Sequence, residues 1–290
     1  MDLSFYVIQV LNGIQYGFLL FLVASGLTLI FGVMGIINLA HGAFYMIGAY
    51  LAWWLASLTG NLFFGIALAL PIALVLGLVI ERVAVSHLYA RDHLDQVLLT
   101  YGLILILNEL QRVLWGNDVH GVPVPEILSG TVQLTETQSY PVYRLFISAA
   151  CIALAGGMYV LIRKTRLGMT IRAGADNREM TEAMGINIRR LYTIVFGFGT
   201  ALAAFSGMLA APVEAVYPGM GDSVLILSFV VVVIGGIGSI RGAFAGAMLI
   251  GLVDAFGKAL IPDFASFTVY GLMAAVLLWR PQGLFGRSVT

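Results

Sequence analysis

Nine stretches of roughly twenty apolar residues, joined by short polar segments, leave this chain little choice but to fold in lipid. They lie at about 5–30, 36–58, 62–80, 97–115, 145–162, 191–211, 223–239, 242–260 and 264–279. A helix needs about 20 apolar residues to cross the hydrocarbon core of a bilayer. The run Phe229-Val230-Val231-Val232-Val233-Ile234 would read as a strand in water. Here it is flanked by further apolar residues, and a strand in lipid requires a closed barrel. Only 10% of the residues are charged, against about 25% in soluble domains, so water is excluded as the solvent of most of the surface. The 34 glycines suit a membrane bundle, where small residues let helix backbones approach. The expectation is an all-α, polytopic transmembrane helix bundle forming a single domain over 1–290.

The span number is eight to ten, because the 31–42 stretch is short and broken by glycine. It reads either as a turn at the membrane surface or as an unwound section at mid-membrane. Gly42-Ala43-Phe44, ten residues after Gly32, is echoed by Gly242-Ala243-Phe244 after Gly235, which suggests an internal repeat. The first basic side chain is Arg82, so the first apolar stretch reads as a retained span and not as a cleaved leader. The single cysteine, Cys151, has no internal partner.

Charge sets the orientation. Segment 163–190 holds Arg163, Lys164, Arg166, Arg172, Arg178, Arg189 and Arg190, seven of the 15 Lys and Arg. Segment 116–142 holds none, but has Asp118, Glu126 and Glu136. Basic short loops stay in the cytoplasm. The 163–190 loop is therefore cytoplasmic and 116–142 external. Arg82, Arg91, Arg241 and the tail with Arg280 and Arg287 then fall inside, and the N-terminus outside. The expected location is the cell (inner) membrane.

Within the basic loop a two-turn helix is expected over 177–184, with Asp176 as its cap, Glu179 reaching back to it and Gly185 supplying the left-handed end. Met180, Ala183 and Met184 share one face at i, i+3, i+4 spacing. So short a helix is unstable alone, so either its own bundle or a partner groove must hold it; an ordinary topology-fixing loop is the plainer reading.

Ionisable residues inside spans are costly and point to function by default. Glu109 and Arg112 lie one turn apart in the fourth span, Asp254 and Lys258 in the eighth. Paired charges on the outer half suit a zwitterion; structural pairing, or snorkelling to the interface, is the alternative and the stronger one for Arg112 and Lys258. Asn38, His41 and Gly42 would line a cavity if the helix is broken there, although a lone His is more often a packing residue. Gly236 and Gly238 read as a tight turn or a broken helix beside the pathway. His41, His87, His93 and His120 are not at metal-ligand spacing, and no triad is visible. Gly251 to Gly257-Lys258-Ala259 fails the phosphate-loop spacing and lacks its hydroxyl residue. The chain is expected to be no enzyme, to bind no metal, cofactor or nucleic acid, and to carry no ATPase site.

Glu182-Ala183-Met184-Gly185, with Glu179 nearby, partly resembles the short cytoplasmic helix by which ATP-binding-cassette importers dock their ATPases. Leu27-Thr28-Leu29-Ile30-Phe31-Gly32, Ile37-Asn38-Leu39-Ala40-His41-Gly42, Thr165-Arg166-Leu167-Gly168, Gly235-Gly236-Ile237-Gly238-Ser239-Ile240-Arg241-Gly242 and Arg280-Pro281-Gln282-Gly283-Leu284-Phe285-Gly286 resemble the branched-chain amino-acid permease family, LivH type. The resemblance runs from about residue 10 to the end and is weakest over 116–142. It implies one of two homologous, non-identical permease subunits (a heterodimer) that pass branched-chain (hydrophobic) amino acids into the cytoplasm. With them it implies two cytoplasmic ATPases that use ATP and Mg, and an external substrate-binding protein that delivers leucine, isoleucine, valine or a similar substrate. It implies Glu179, Met180, Glu182, Ala183, Met184 and Gly185 as the ATPase-coupling residues. A related permease for urea or another small amide or amino acid is the alternative within the class. Outside it stand an ion-driven secondary transporter using Glu109 or Asp254, then a channel, then a membrane enzyme.

Overall fold

The computed structural model describes residues 3–89, 91–135 and 138–286. Glu136 and Arg287, used above for orientation, lie outside them. The described chain is a helix bundle: α1 (Leu3–Met34), α2 (His41–Thr59), α3 (Leu62–Val83), α4 (His93–Trp115), α5 (Val142–Lys164), α6 (Arg166–Asp176), α7 (Arg178–Ala183), α8 (Ile188–Glu214), α9 (Met220–Gly235), α10 (Ile240–Leu260) and α11 (Ala265–Trp279). Every expected span coincides with a helix. Seven are long and apolar enough to cross a membrane. Of the other two, α9 has 16 residues and α2 starts inside the bundle.

Two elements depart from the expectation. A small antiparallel hairpin, β1 (Thr131–Thr135) with β2 (Gln138–Pro141), lies in the 116–142 segment, where alternation in Thr131-Val132-Gln133-Leu134-Thr135 suits a strand. Helix α6 occupies part of the basic loop, capped by the Thr165 hydroxyl, which accepts from Gly168 N–H at 3.1 Å. The basic segment and the hairpin mark opposite ends of the bundle, here the basic end and the hairpin end.

Helices α1 and α8 form the axis, each with 83% of its most apolar window buried, against 22% or less for α3, α4, α5 and α11. Lipid gives little hydrophobic drive between helices, so packing rests on close backbone contact and on small residues. At Gly48 of α2 an added Cβ would fall 2.1 Å from the Ala204 carbonyl oxygen of α8, and at Gly207 of α8 one would fall 2.0 Å from the Tyr45 carbonyl oxygen of α2. The Ser206 hydroxyl donates to the Leu19 carbonyl at 3.0 Å, fixing α8 to α1.

The α1–α2 connection is non-helical, and alternate residues along it are buried. Ile36, Asn38 and Ala40 are at most 1% exposed, and Gly35 has φ +69°. The Thr100 hydroxyl of α4 points at the Ile37 carbonyl, and the His41 ring reaches the Val23 carbonyl at 3.0 Å. Val23 lies eleven residues before Met34, roughly 16 Å along the helix. Segment 35–40 therefore re-enters the bundle and α2 begins inside it. Of the two readings of 31–42, the unwound section holds. The echoed Gly-Ala-Phe triplets both open a helix, α2 and α10.

At the basic end the family-like stretches meet. The tail folds onto the α9–α10 joint through Leu284 N–H to Ile234 O at 2.8 Å and Phe285 N–H to Gly235 O at 3.0 Å. Gly236 has φ +98°, and a Cβ there would fall 2.5 Å from the Gly286 nitrogen.

Candidate substrate cleft and coupling face

Near the hairpin end a cleft of about 440 Å³ opens between α1, α5, α8 and α10, lined by Gln9, Asn12, Gln15, Tyr16, Arg144, Glu214, Asp254 and Lys258 among others. Arg144, Glu214 and Lys258 sit within two residues of a helix end, whereas Gln9, Asn12, Gln15 and Tyr16 run further down α1. The Lys258 ammonium sits 2.7 Å from an Asp254 carboxylate oxygen and 5.3 Å from the centre of the Tyr16 ring. Arg144 donates to the Asn12 side-chain oxygen at 2.5 Å. The Tyr45 hydroxyl donates to Glu214 at 3.0 Å. Two acids and two bases face one space with no excess of either sign. Such a site can hold a ligand carrying both a carboxylate and an ammonium, by exchange of charge-assisted hydrogen bonds.

The basic end carries the second feature. Helix α7 is capped by Asn177, whose side-chain oxygen accepts from Met180 N–H at 2.9 Å. The expected cap, Asp176, instead ends α6, because the chain is already helical there and only Asn177 has the extended backbone (φ −151°, ψ 102°) that an N-cap needs. The expected 177–184 helix is one residue shorter at each end. Gly185 closes it as expected, at φ +83°. Its N–H donates to Glu182 O and that of Ile186 to Thr181 O, a Schellman ending. Thr181 faces the protein. Glu179, Met180, Glu182, Ala183, Met184 and Gly185 are all exposed, with Met180 at 63% and Met184 at 77%. Arg178 stacks 5.3 Å over the Tyr192 ring of α8, so α7 is anchored on the axis helix while its methionine face points away.

A family model described as "Branched-chain amino acid transport system / permease component" matches residues 9–277. The chain belongs to this family. It is 31% identical to the high-affinity branched-chain amino acid transport system permease protein BraD of Pseudomonas aeruginosa, over 99% of this chain and 97% of that one. It is 30% identical to LivH of Escherichia coli, over 98% and 96%. It is 27% identical to the LivM permease protein of the same organism, over 89% of this chain and 66% of that one. No solved structure matches.

Within this permease the other expected pathway residues do not gather. Asn38, His41 and Gly42 lie in the sealed centre, the first two at 0% exposure, and a Cβ at Gly42 would fall 2.2 Å from Gly221 O. Gly236 and Gly238 hold the basic-end joint, both in the left-handed region. Glu109 pairs with Arg112 at 2.5 Å on the outer surface of α4. Asp254 alone reaches the cleft. Its companions Gln9, Asn12, Tyr16, Arg144 and Glu214 were not anticipated. The readable signal was the polar stripe at 9, 12 and 16 inside an otherwise apolar span, the i, i+3, i+7 spacing of one helix face.

Proposed function

We propose that this permease is one of two homologous subunits through which an ATP-driven importer admits branched-chain or similar hydrophobic amino acids. The reading is carried by one observation: a membrane bundle of this family presents a capped two-turn helix with two methionines turned outward and its own packing face already occupied. Such a face fits a groove on another protein. The basic segment lies in the cytoplasm and the N-terminus outside, since seven basic residues crowd one loop. ATP and Mg are handled by two partner ATPases, one of them docked on α7 and the other on the second permease, because the sequence lacks a phosphate-binding loop. An external binding protein delivers substrate to the hairpin end. There the cleft holds the amino and carboxylate groups of the amino acid against Asp254, Glu214, Arg144 and Lys258.

Closure of the ATPases moves α7. The Arg178–Tyr192 stack passes that motion to α8, which is locked to α1 and α2 by backbone contact. The axis then shifts as a unit instead of flexing locally. Replacing Glu182 or Gly185 is expected to uncouple ATP hydrolysis from uptake without loss of the protein from the membrane. Glu182 faces the partner, and a β-branched residue at Gly185 would be forced out of φ +83°.

The test is purification of the tagged chain from its native membrane. Recovery with two ATPases and a second permease is the expected result; recovery alone contradicts the proposal. For the cleft, Asp254→Ala leaves Lys258 without its partner. It is expected to raise the KM for uptake about tenfold or more, a loss of about 1.4 kcal/mol for one charge-assisted contact, with unchanged amounts of protein in the membrane. An unaltered KM would remove Asp254 from the site.

A further inference from the structure

Helices α5 and α10 both pack on α1, and a furrow runs between them. The cleft described above lies toward its hairpin end. A second groove, of about 360 Å³, lies toward its basic end. Asn12 marks the first and Phe21 the second; they are nine residues apart, roughly 14 Å along α1.

The chemistry of the two is different. In the cleft, Asp254 and Glu214 accompany Arg144 and Lys258. In the groove the apolar lining includes Phe21, Met158 and Phe244, and the charged residues are Arg163 and Arg241. Among the described residues no acid lines the groove and neither arginine is in a salt bridge. The ammonium of an amino acid would find no partner there. An anion joined to an apolar tail finds both of its needs met.

The fold holds the two arginines at one level. Arg163 is one residue before the end of α5 and Arg241 one residue after the start of α10. The start of α10 is fixed by the Ser239 hydroxyl, which accepts from Gly242 N–H at 3.1 Å. The Arg163 guanidinium lies 5.6 Å over the Tyr159 ring, which keeps it beside the groove, and both arginines are exposed. Further along the furrow the Phe21 and Phe244 rings meet edge to face at 5.2 Å, and Phe244 is still 41% exposed. Two unpaired guanidinium groups at the ends of spans, beside an apolar slot between helices, match the requirements of an anionic lipid headgroup and its chain.

We propose that this groove binds an anionic phospholipid, its phosphate between Arg163 and Arg241 and an acyl chain laid over Phe21, Met158 and Phe244. The occupant is a membrane lipid and not a soluble anion, because the slot is apolar and the bilayer supplies such molecules at its edge. The lipid bridges α5 and α10, which flank the cleft as well. Assignment to the inner leaflet rests on the orientation proposed above; the site itself does not.

The test uses the full complex in phosphatidylcholine vesicles that contain a phosphatidylglycerol probe with a photoreactive diazirine in its acyl chain. Illumination followed by peptide mass spectrometry is expected to place the label on the segments carrying Met158 and Phe244. A phosphatidylcholine probe with the same chain is expected to label them about tenfold less or weaker. Arg163→Gln/Arg241→Gln is expected to bring the phosphatidylglycerol signal down to the phosphatidylcholine level. Lys164→Gln/Arg166→Gln, which removes equal charge outside the groove, is expected to leave it within about twofold. Equal labelling by the two probes in the unaltered protein would overturn the assignment. So would equal loss in both double variants, displacement of the probe by leucine or inorganic phosphate, or a crosslink from benzoylphenylalanine at Phe244 to the second permease. Labelling involves neither ATP nor transport, so any of these results leaves the importer reading standing.

Discussion

Replacing Met180 and Met184 together with glutamate is expected to leave the protein folded in the membrane and to abolish ATP-driven uptake. Both side chains are largely exposed, so the bundle loses no packing, and surface changes of this kind usually alter stability by less than about 0.5 kcal/mol. Docked in a partner groove, each methionine would contribute about 1.5–3 kcal/mol through burial of its side chain, and a carboxylate in its place would add a desolvation cost. Losing even 3 kcal/mol weakens docking by more than a hundredfold. The check is reconstitution with the ATPases: uptake should vanish while ATP hydrolysis by the partners continues. Asn177→Ala should give a milder form of the same defect, since a lost N-cap costs about 1 kcal/mol. Uptake by the double variant within twofold of wild type would contradict docking on α7.

The second large effect concerns the axis. Gly48→Leu or Gly207→Leu is expected to prevent folding. A Cβ alone at these positions would fall 2.1 Å and 2.0 Å from backbone oxygens, and backbone atoms cannot turn aside as a flexible side chain can. Overpacking costs typically 1–3 kcal/mol, and here three further carbons must also be placed. At about 3 kcal/mol the ratio of folded to unfolded protein falls by a factor above one hundred. The control lies in the same chain: Gly156 and Gly157 of α5 have nothing within 4 Å of an added Cβ. Alanine there is expected to be neutral or stabilising by up to about 1 kcal/mol. Thermal stability in detergent separates the two classes. Equal behaviour of Gly48→Leu and Gly156→Ala would contradict the packing described.

Span positions were legible because the bilayer fixes the length of an apolar run, whatever the run packs against. The Gly185 ending was legible because a left-handed residue is a local requirement. The cap was misplaced by one residue, since Asp176 and Asn177 both have capping side chains and only the backbone at Asn177 tells them apart. Helix α6 was missed because Thr165 to Asp176 is rich in charge and lacks an apolar run. The cleft was least legible. Arg144, Glu214 and Asp254 each sit near the end of a different helix, where a polar residue is ordinary, and only the packing of α5, α8 and α10 around α1 brings them to one space. The candidate pathway set scatters for the converse reason: buried polar residues such as His41, glycines of a turn such as Gly236 and surface charges such as Glu109 look alike in sequence and serve different parts of the fold.

The central claim is that the basic segment faces the cell interior and carries the motor-docking helix. It is tested most directly by placing a cysteine at Met184 in a Cys151→Ser background, because Met184 is 77% exposed, and adding a membrane-impermeant maleimide. The account predicts no labelling of intact cells, full labelling after permeabilisation, and protection when the ATPases are bound. Labelling of intact cells would contradict it.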